Sequence, residues 1–251
     1  ATQTYVVALY DNTLFYLNDV EIGASPISKG TPVTLTTAQY DVIDADAPIY
    51  TAGRRGSGAN ASKANVTWNP TAWAGKSFSF NAIRGNPQQL FVYATENATI
   101  TVKQGTTTLD TAVVTAGNGA TLSWSVFGSF QVTSTGTILA FHSSGNPGAS
   151  EYEDPKPLLP SSYEIIGFPS SSMRITTNIN STNYSLIHSN STTGSGNLSK
   201  QDVDQINPQG TSSLYQSKSL VISADQKISG ASFADANGNC AAPFIPTSLM
   251  R

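Results

Sequence analysis

Two histidines, His142 and His188, are the only imidazoles in this 251-residue chain. A hydrolytic triad needs a nucleophile, a His base and a carboxylate to orient it, so these two positions are where hydrolytic chemistry would have to start. His142 closes the run Thr137-Ile-Leu-Ala-Phe-His and His188 closes Tyr184-Ser-Leu-Ile-His, with no Gly-x-Ser-x-Gly elbow before either. Both are expected at strand ends or in loops. Among the acids, Asp44-Ala-Asp46 and Asp202-Val-Asp204 pair carboxylates, and Asp235-Ala-Asn-Gly-Asn239 supplies closely spaced oxygens of the kind Ca²⁺ accepts. None has the spacing and terminal Glu of an EF-hand loop. Asp44 and Asp46 fall in a turn between two strands, where a carboxylate bonds the local backbone. Glu151, Glu153 and Asp154 cluster in a Pro-rich stretch, where solvation deprives them of the general-acid role that glycoside hydrolysis requires. Trp68, Trp73 and Trp124 could stack on sugar rings if exposed. Arg54 and Arg55, the only adjacent basic pair, sit in a Gly-rich stretch and suit an acidic neighbour or a carboxylated glycan. With Asn146, Glu151, Tyr152 and Glu153 they make up the candidate partner-contact residues. No catalytic set, metal centre or cofactor site is expected, and the chain reads as a non-enzyme.

The elements that would carry these residues are strands. Charged residues are 12% of the chain, about half the share in typical soluble domains, while Thr, Ser, Asn and Gly run throughout. Thr and Val suit a pleated strand; Gly, Asn and Ser suit the turns between strands. A net charge of −3 leaves no basic face for a phosphate backbone, so nucleic acid is not an expected partner. No run of about 18 apolar residues occurs, so no membrane insertion by a helix is expected. Cys240 is the single cysteine, which rules out an intrachain disulfide. An N-terminal Ala fits either removal of an initiator Met or cleavage after a small-residue site. Seven Asn-x-Ser/Thr triplets begin at Asn60, Asn65, Asn97, Asn180, Asn183, Asn190 and Asn197; glycosylation would depend on a secretory route.

The chain also repeats itself. Tyr40-Asp-Val-Ile, Phe130-Gln-Val-Thr and Leu220-Val-Ile-Ser each open a strand, a polar turn and a second strand, with their lead residues 90 positions apart. Val42, Val132 and Ile222 are expected to point inward. A second landmark recurs as Pro70-Thr-Ala-Trp73, Pro160-Ser-Ser-Tyr163 and Pro246-Thr-Ser-Leu249, and Pro157-Leu-Leu-Pro-Ser-Ser-Tyr matches Pro243-Phe-Ile-Pro-Thr-Ser-Leu over seven residues. Trp73, at the place that Tyr163 and Leu249 fill in the other copies, is read as a core or inter-unit residue. The first copy lacks an opening landmark and the C-terminus carries a spare one.

These observations imply an all-β fold of three pseudo-repeats, each of four or five antiparallel strands, roughly 12–15 in all. The C-terminal segment is expected to pair with the first unit and close a propeller-like or sandwich-like ring, which would remove open sheet edges. The single closed domain, 1–251, would hold units at about 1–55 plus 243–251, 68–145 and 157–235. Three stretches, starting at Gly53, Ser143 and Ser189, read as long exposed loops.

In the middle copy, Phe91-Val-Tyr-Ala-Thr-Glu-Asn-Ala-Thr-Ile-Thr-Val, Thr111-Ala-Val-Val-Thr-Ala-Gly and Ser129-Phe-Gln-Val-Thr-Ser-Thr-Gly-Thr-Ile-Leu-Ala resemble the β-repeats of IgGFc-binding-protein N-terminal-type domains. The resemblance implies a recurrent scaffold of the kind found in bacterial surface proteins and phage virion proteins, and it carries no binding residues with it. The expected function is a non-enzymatic virion structural protein, a phage spike, fibre or decoration component acting in assembly or host attachment. Its partners would be other copies of itself or other virion proteins. The alternative is a secreted or cell-surface adhesin that binds a glycan or protein through projecting loops, located outside the cell or on its surface.

Overall fold

A computed structural model describes residues 2–23, 25–38, 40–55, 65–66, 71–82, 86–145, 153–167, 172–188, 193–200, 203–206, 220–233 and 241–249. The chain divides into two compact units, Ala1–Trp68 and Asn69–Arg251. Among the described residues all regular structure is strand, apart from single 3-10 turns at Thr71–Trp73 and Thr247–Leu249.

The first unit contains β1 (Thr2–Ala8), β2 (Phe15–Leu17), β3 (Val20–Glu21), β4 (Pro32–Thr37), β5 (Ile43–Ala45), β6 (Ile49–Arg55) and β7 (Asn65–Val66). One sheet runs β4-β1-β6-β7 and a second runs β3-β2-β5. Period-two alternation in β1 sends Thr4, Val6 and Ala8 inward, where Val6 and Ala8 meet Phe15, Ile27 and Leu35. Asn18 and Asp19, at φ 51° and 64°, form the two-residue turn between β2 and β3, whose twist matches a hairpin.

The second unit holds two seven-stranded lobes with the same pairing plan. The first has β8 (Gly75–Ala82), β9 (Gln88–Ala94), β10 (Ala98–Gln104), β11 (Thr107–Val114), β12 (Gly119–Trp124), β13 (Gly128–Ser144) and β14 (Glu153–Leu158). The second has β15 (Ser162–Gly167), β16 (Ser172–Thr177), β17 (Thr182–His188), β18 (Thr193–Leu198), β19 (Val203–Ile206), β20 (Leu220–Phe233) and β21 (Ala241–Pro243), followed by β22 (Ile245–Pro246). The 17-residue β13 is the spine of its lobe. Its first half lies between β8 and β10, and its second half between β9 and β14. The spine β20 is flanked likewise, by β15 and β17 and then by β16 and β21. β11 and β12 extend the first lobe beyond β10 and β9, as β18 and β19 extend the second beyond β17 and β16. Phe78, Ile100, Phe130 and Ile138 are fully buried in one core, Ile165, Ile175, Ile222 and Ile228 in the other.

The structure corrects several expectations. Ala241–Pro246 pairs with β20 and β15 rather than completing the first unit. The cause is Phe244, 2% exposed, whose ring lies directly over Gly167 and Gly230. A Cβ at either glycine would meet ring carbon at 2.6 or 2.5 Å, so bare backbone forms the slot. The buried landmark residues are therefore Leu158 and Phe244, two places before the proline, while Tyr163 is 55% exposed and Trp73 and Leu249 are half-buried. Tyr40 opens no strand. It sits at φ 70° in a turn, and Ile43, not Val42, packs on the core.

Two of the three expected loops are largely strand where described. The Pro-rich Glu153–Leu158 is β14, paired only with β13 in the sheet, an edge position where proline's missing N–H is tolerated. In β18, Gly194 and Gly196 lie under the side chains of Leu186 and Tyr184 on β17, which supply the packing that glycine lacks. The Gly53 stretch continues β6 as far as Arg55.

Phe244→Ala should lower the unfolding free energy by about 3–5 kcal/mol. Gly230→Ala should also destabilise, because the ring must leave its slot. Denaturant titration followed by circular dichroism reads both, and an unchanged midpoint for either would refute the slot.

Candidate functional site

The two lobes of the second unit meet along a seam of small polar side chains. On the first lobe, alternation turns Phe78 and Phe80 of β8 into the core and Ser79 and Asn81 outward. Ser129 of β13 pairs with Asn81 and shares that outer face. On the second lobe, Arg174 and Thr176 of β16 and Ser229 of β20 point outward, while Met173, Ile175 and Ile228 fill the core. The contacts are hydroxyl to hydroxyl. Ser129 Oγ lies 2.6 Å from Thr176 Oγ1, and Ser161 Oγ lies 2.8 Å from Ser229 Oγ and 3.4 Å from Ser79 Oγ. Arg174 Nη1 donates to Asn81 Oδ1 at 3.1 Å, and Lys156 Nζ donates to the Asn81 carbonyl at 3.3 Å. Asn81 thus joins β14 and β16 to β8 from one residue.

Beside the seam lies a buried polar group. His142, near the C-terminal end of β13 as expected but fully buried, has its Nε2 2.8 Å from Gln88 Oε1. Its ring packs on Phe80 at a centroid distance of 4.6 Å. Lys156, its cross-strand partner on β14, is 2% exposed. Burial first, and then the nearby Lys156 ammonium, hold the His142 pKa well below the usual imidazole value. The ring is neutral at neutral pH. A cavity of about 30 Å³ opens at the seam, lined by Asn81, Lys156, Leu158, Arg174, Thr176 and Phe244 among others. That volume suits one water molecule and no larger ligand.

The residues singled out from sequence are scattered. Arg54 and Arg55 end β6, where Arg54 pairs through its backbone with Gln3 of β1 and Asn65 of β7 and Arg55 with Thr2 of β1; their side chains lie outside the described residues. Glu153 opens β14 opposite Ser144, again with only its backbone described. Asn146, Glu151 and Tyr152 lie outside the described residues, as do Trp68, Asp202 and Asp235–Asn239. His188 ends β17 with only its backbone described. Asp44 and Asp46 bind the backbone amides of Ala45 and Leu14, at 2.9 and 2.8 Å. Among the described residues no three His, Cys, Asp or Glu side chains converge as metal ligands do. Trp124 is 6% exposed in the aromatic cluster with Phe80 and Phe130 and presents no face to a sugar.

Two of the Asn-x-Ser/Thr positions are tied into the sheet. Asn183 Nδ2 donates to Asp225 at 2.8 Å and Asn197 Nδ2 donates to Asn183 at 2.8 Å, so a glycan on either would break a side-chain chain that spans three strands. Sequence reasoning missed the seam, the burial of His142, and Lys156. The available signal was the outward parity of Ser79, Asn81 and Ser129, which only the pairing register makes readable.

A buried neutral imidazole ties stability to pH. With the folded pKa depressed, the contribution is complete above the unfolded value of about 6.5 and is lost as pH falls toward the folded value. Between about pH 7.5 and 5 the melting temperature should fall, and His142→Gln should flatten that slope while lowering the neutral-pH value. Equal slopes in thermal melts would refute the coupling.

Compared with known proteins, the chain matches no protein-family model, no curated protein and no solved structure.

Proposed function

We propose that the chain is a non-enzymatic structural protein of a virion, built from three copies of one β module and acting in assembly or host attachment. The observation that supports the reading is the strand pairing, onto which a three-copy plan can be laid. In the second unit β8 to β14 correspond strand for strand to β15 to β21. The first unit follows the same plan, with β1 and β4 in the places of β9 and β12. There β2 and β3 stand for β10 and β11, β5 and β6 for the two halves of the spine, and β7 for β14. Each landmark strand then closes the copy before it. No described strand of the first unit takes the place of β8 beside β5.

Compensating volumes support the equivalence. In the middle copy Phe80, Ala140 and Leu158 fill the corner of the core. The third copy has Gly167, Gly230 and Phe244 at the matching registers, so the ring has moved from the strand to the landmark. Modules joined by a seam of hydroxyls suit a load-bearing scaffold, and the resemblance of the middle copy to modules found in phage virion proteins points the same way.

The double variant Gly167→Phe/Phe244→Leu should be less destabilised than the sum of its single changes, read by a denaturant double-mutant cycle. Additive losses would count against the equivalence. For the function, quantitative mass spectrometry on gradient-purified particles from the source should find the chain at fixed stoichiometry with the capsid. Recovery only from the cell surface or the free secreted fraction would overturn the virion reading in favour of an adhesin.

A further inference from the structure

The seam between the middle and third copies is a template for a contact between one face of a third copy and one face of a first copy. In that seam the outer face of β8 and the first half of β13 meets the outer face of β16 and the second half of β20. The first of these faces recurs on the third copy. Register places Ile166 where the middle copy has Ser79, Val221 where it has Gln131, and Ile187 where it has Lys103. These form a cross-strand row, extended by Ile245 opposite Ile166. Val221 is 37% exposed and Ile187 56% exposed, so a row that is polar in the middle copy is apolar and open to water in the third.

The second face recurs on the first copy. Val7 and Tyr50 pair across β1 and β6 as Thr176 and Ser229 pair across β16 and β20, and Tyr5 stands where Arg174 stands. Tyr50 is 62% exposed and Tyr5 37%. Again an apolar, aromatic set replaces a polar one. The two changes match. Exposed Ile and Val on a sheet face cost free energy in water, at roughly 25 cal/mol per Å² left uncovered, and Tyr presents both a ring and a hydroxyl to such a surface.

We infer that two copies of this chain dock head to tail, the Ile166–Val221–Ile187 face of one on the Tyr5–Val7–Tyr50 face of the next. The contact is heterologous, because the two faces differ, so each added chain presents a fresh face. The partner is a second copy because the internal seam already joins these two kinds of face, in this order, within one chain. The inference rests on the three-copy reading, which the volume-swap cycle at Gly167 and Phe244 tests separately, and particle composition tests the virion role without reference to it.

The test uses the full chain with one face spoiled at a time. Ile187→Glu and Tyr50→Glu each place a charge on an outward position that no core contact uses, and unchanged melting curves would verify the fold. Sedimentation velocity over a range of concentrations should show the unaltered chain assembling beyond a dimer, and each variant alone as a monomer. An equimolar mixture of the variants should form a dimer and stop, since one sound face remains on each. A monomeric unaltered chain, or a mixture that stays monomeric, would overturn the inference. So would assembly that only one of the substitutions affects, which is the signature of like faces meeting. If either glutamate perturbs the melt, Val221→Lys replaces it on the first face and Tyr50→Lys on the second, with the same outcomes deciding.

Discussion

The hydrogen-bond ladders of two long strands hold the second unit together. β13 and β20 each exchange backbone bonds with four neighbours, two on each half, so that two sheets share one strand and cannot separate without breaking it. The halves of β13 join at Ser134-Thr-Gly-Thr, where Gly136 lies against the Asn97 carbonyl with no room for a Cβ. Everything inward-facing follows from that ladder, because its alternation sends Phe130, Val132, Ile138 and Ala140 into one core. With no disulfide within the chain, backbone pairing, apolar burial and side-chain hydrogen bonds carry its cohesion.

Strand identity was legible where side chains decide it. The alternation in Gln88–Ala94 is visible in the residues themselves and appears as strict burial of every second position. The 90-residue spacing of Phe130 and Leu220 likewise survives as equivalent places at the start of the two spines. The sequence misleads where a partner decides. Thr193–Leu198 is too rich in Gly and Ser to look like a strand, and becomes one because Tyr184 and Leu186 cover it. Glu153–Leu158 looks like a proline loop and becomes an edge strand because β13 offers an unpaired flank. Register was the hardest quantity to read: a one-residue error at Val42 and Ile43 exchanges the two faces.

The candidate site was legible only in its raw materials. His142 and Lys156 were visible as residue types, yet nothing local distinguishes an exposed strand-end histidine from a buried one. That distinction comes from the length of β13 and from β14 lying along it, which brings Lys156 opposite His142. The seam residues Ser79, Asn81, Ser129, Thr176 and Ser229 are ordinary in composition and distinctive only in being buried together.

The scarcity of charge has a physical corollary. Among the described residues the one ion pair is Lys76 with Glu96, both more than half exposed, and the seam is closed mainly by hydroxyls and amides. Dissolved ions screen attraction between exposed charges and leave neutral dipoles in contact almost untouched. The hydroxyl contacts between the two lobes are therefore largely indifferent to ionic strength, so salt alone does not loosen that part of the joint.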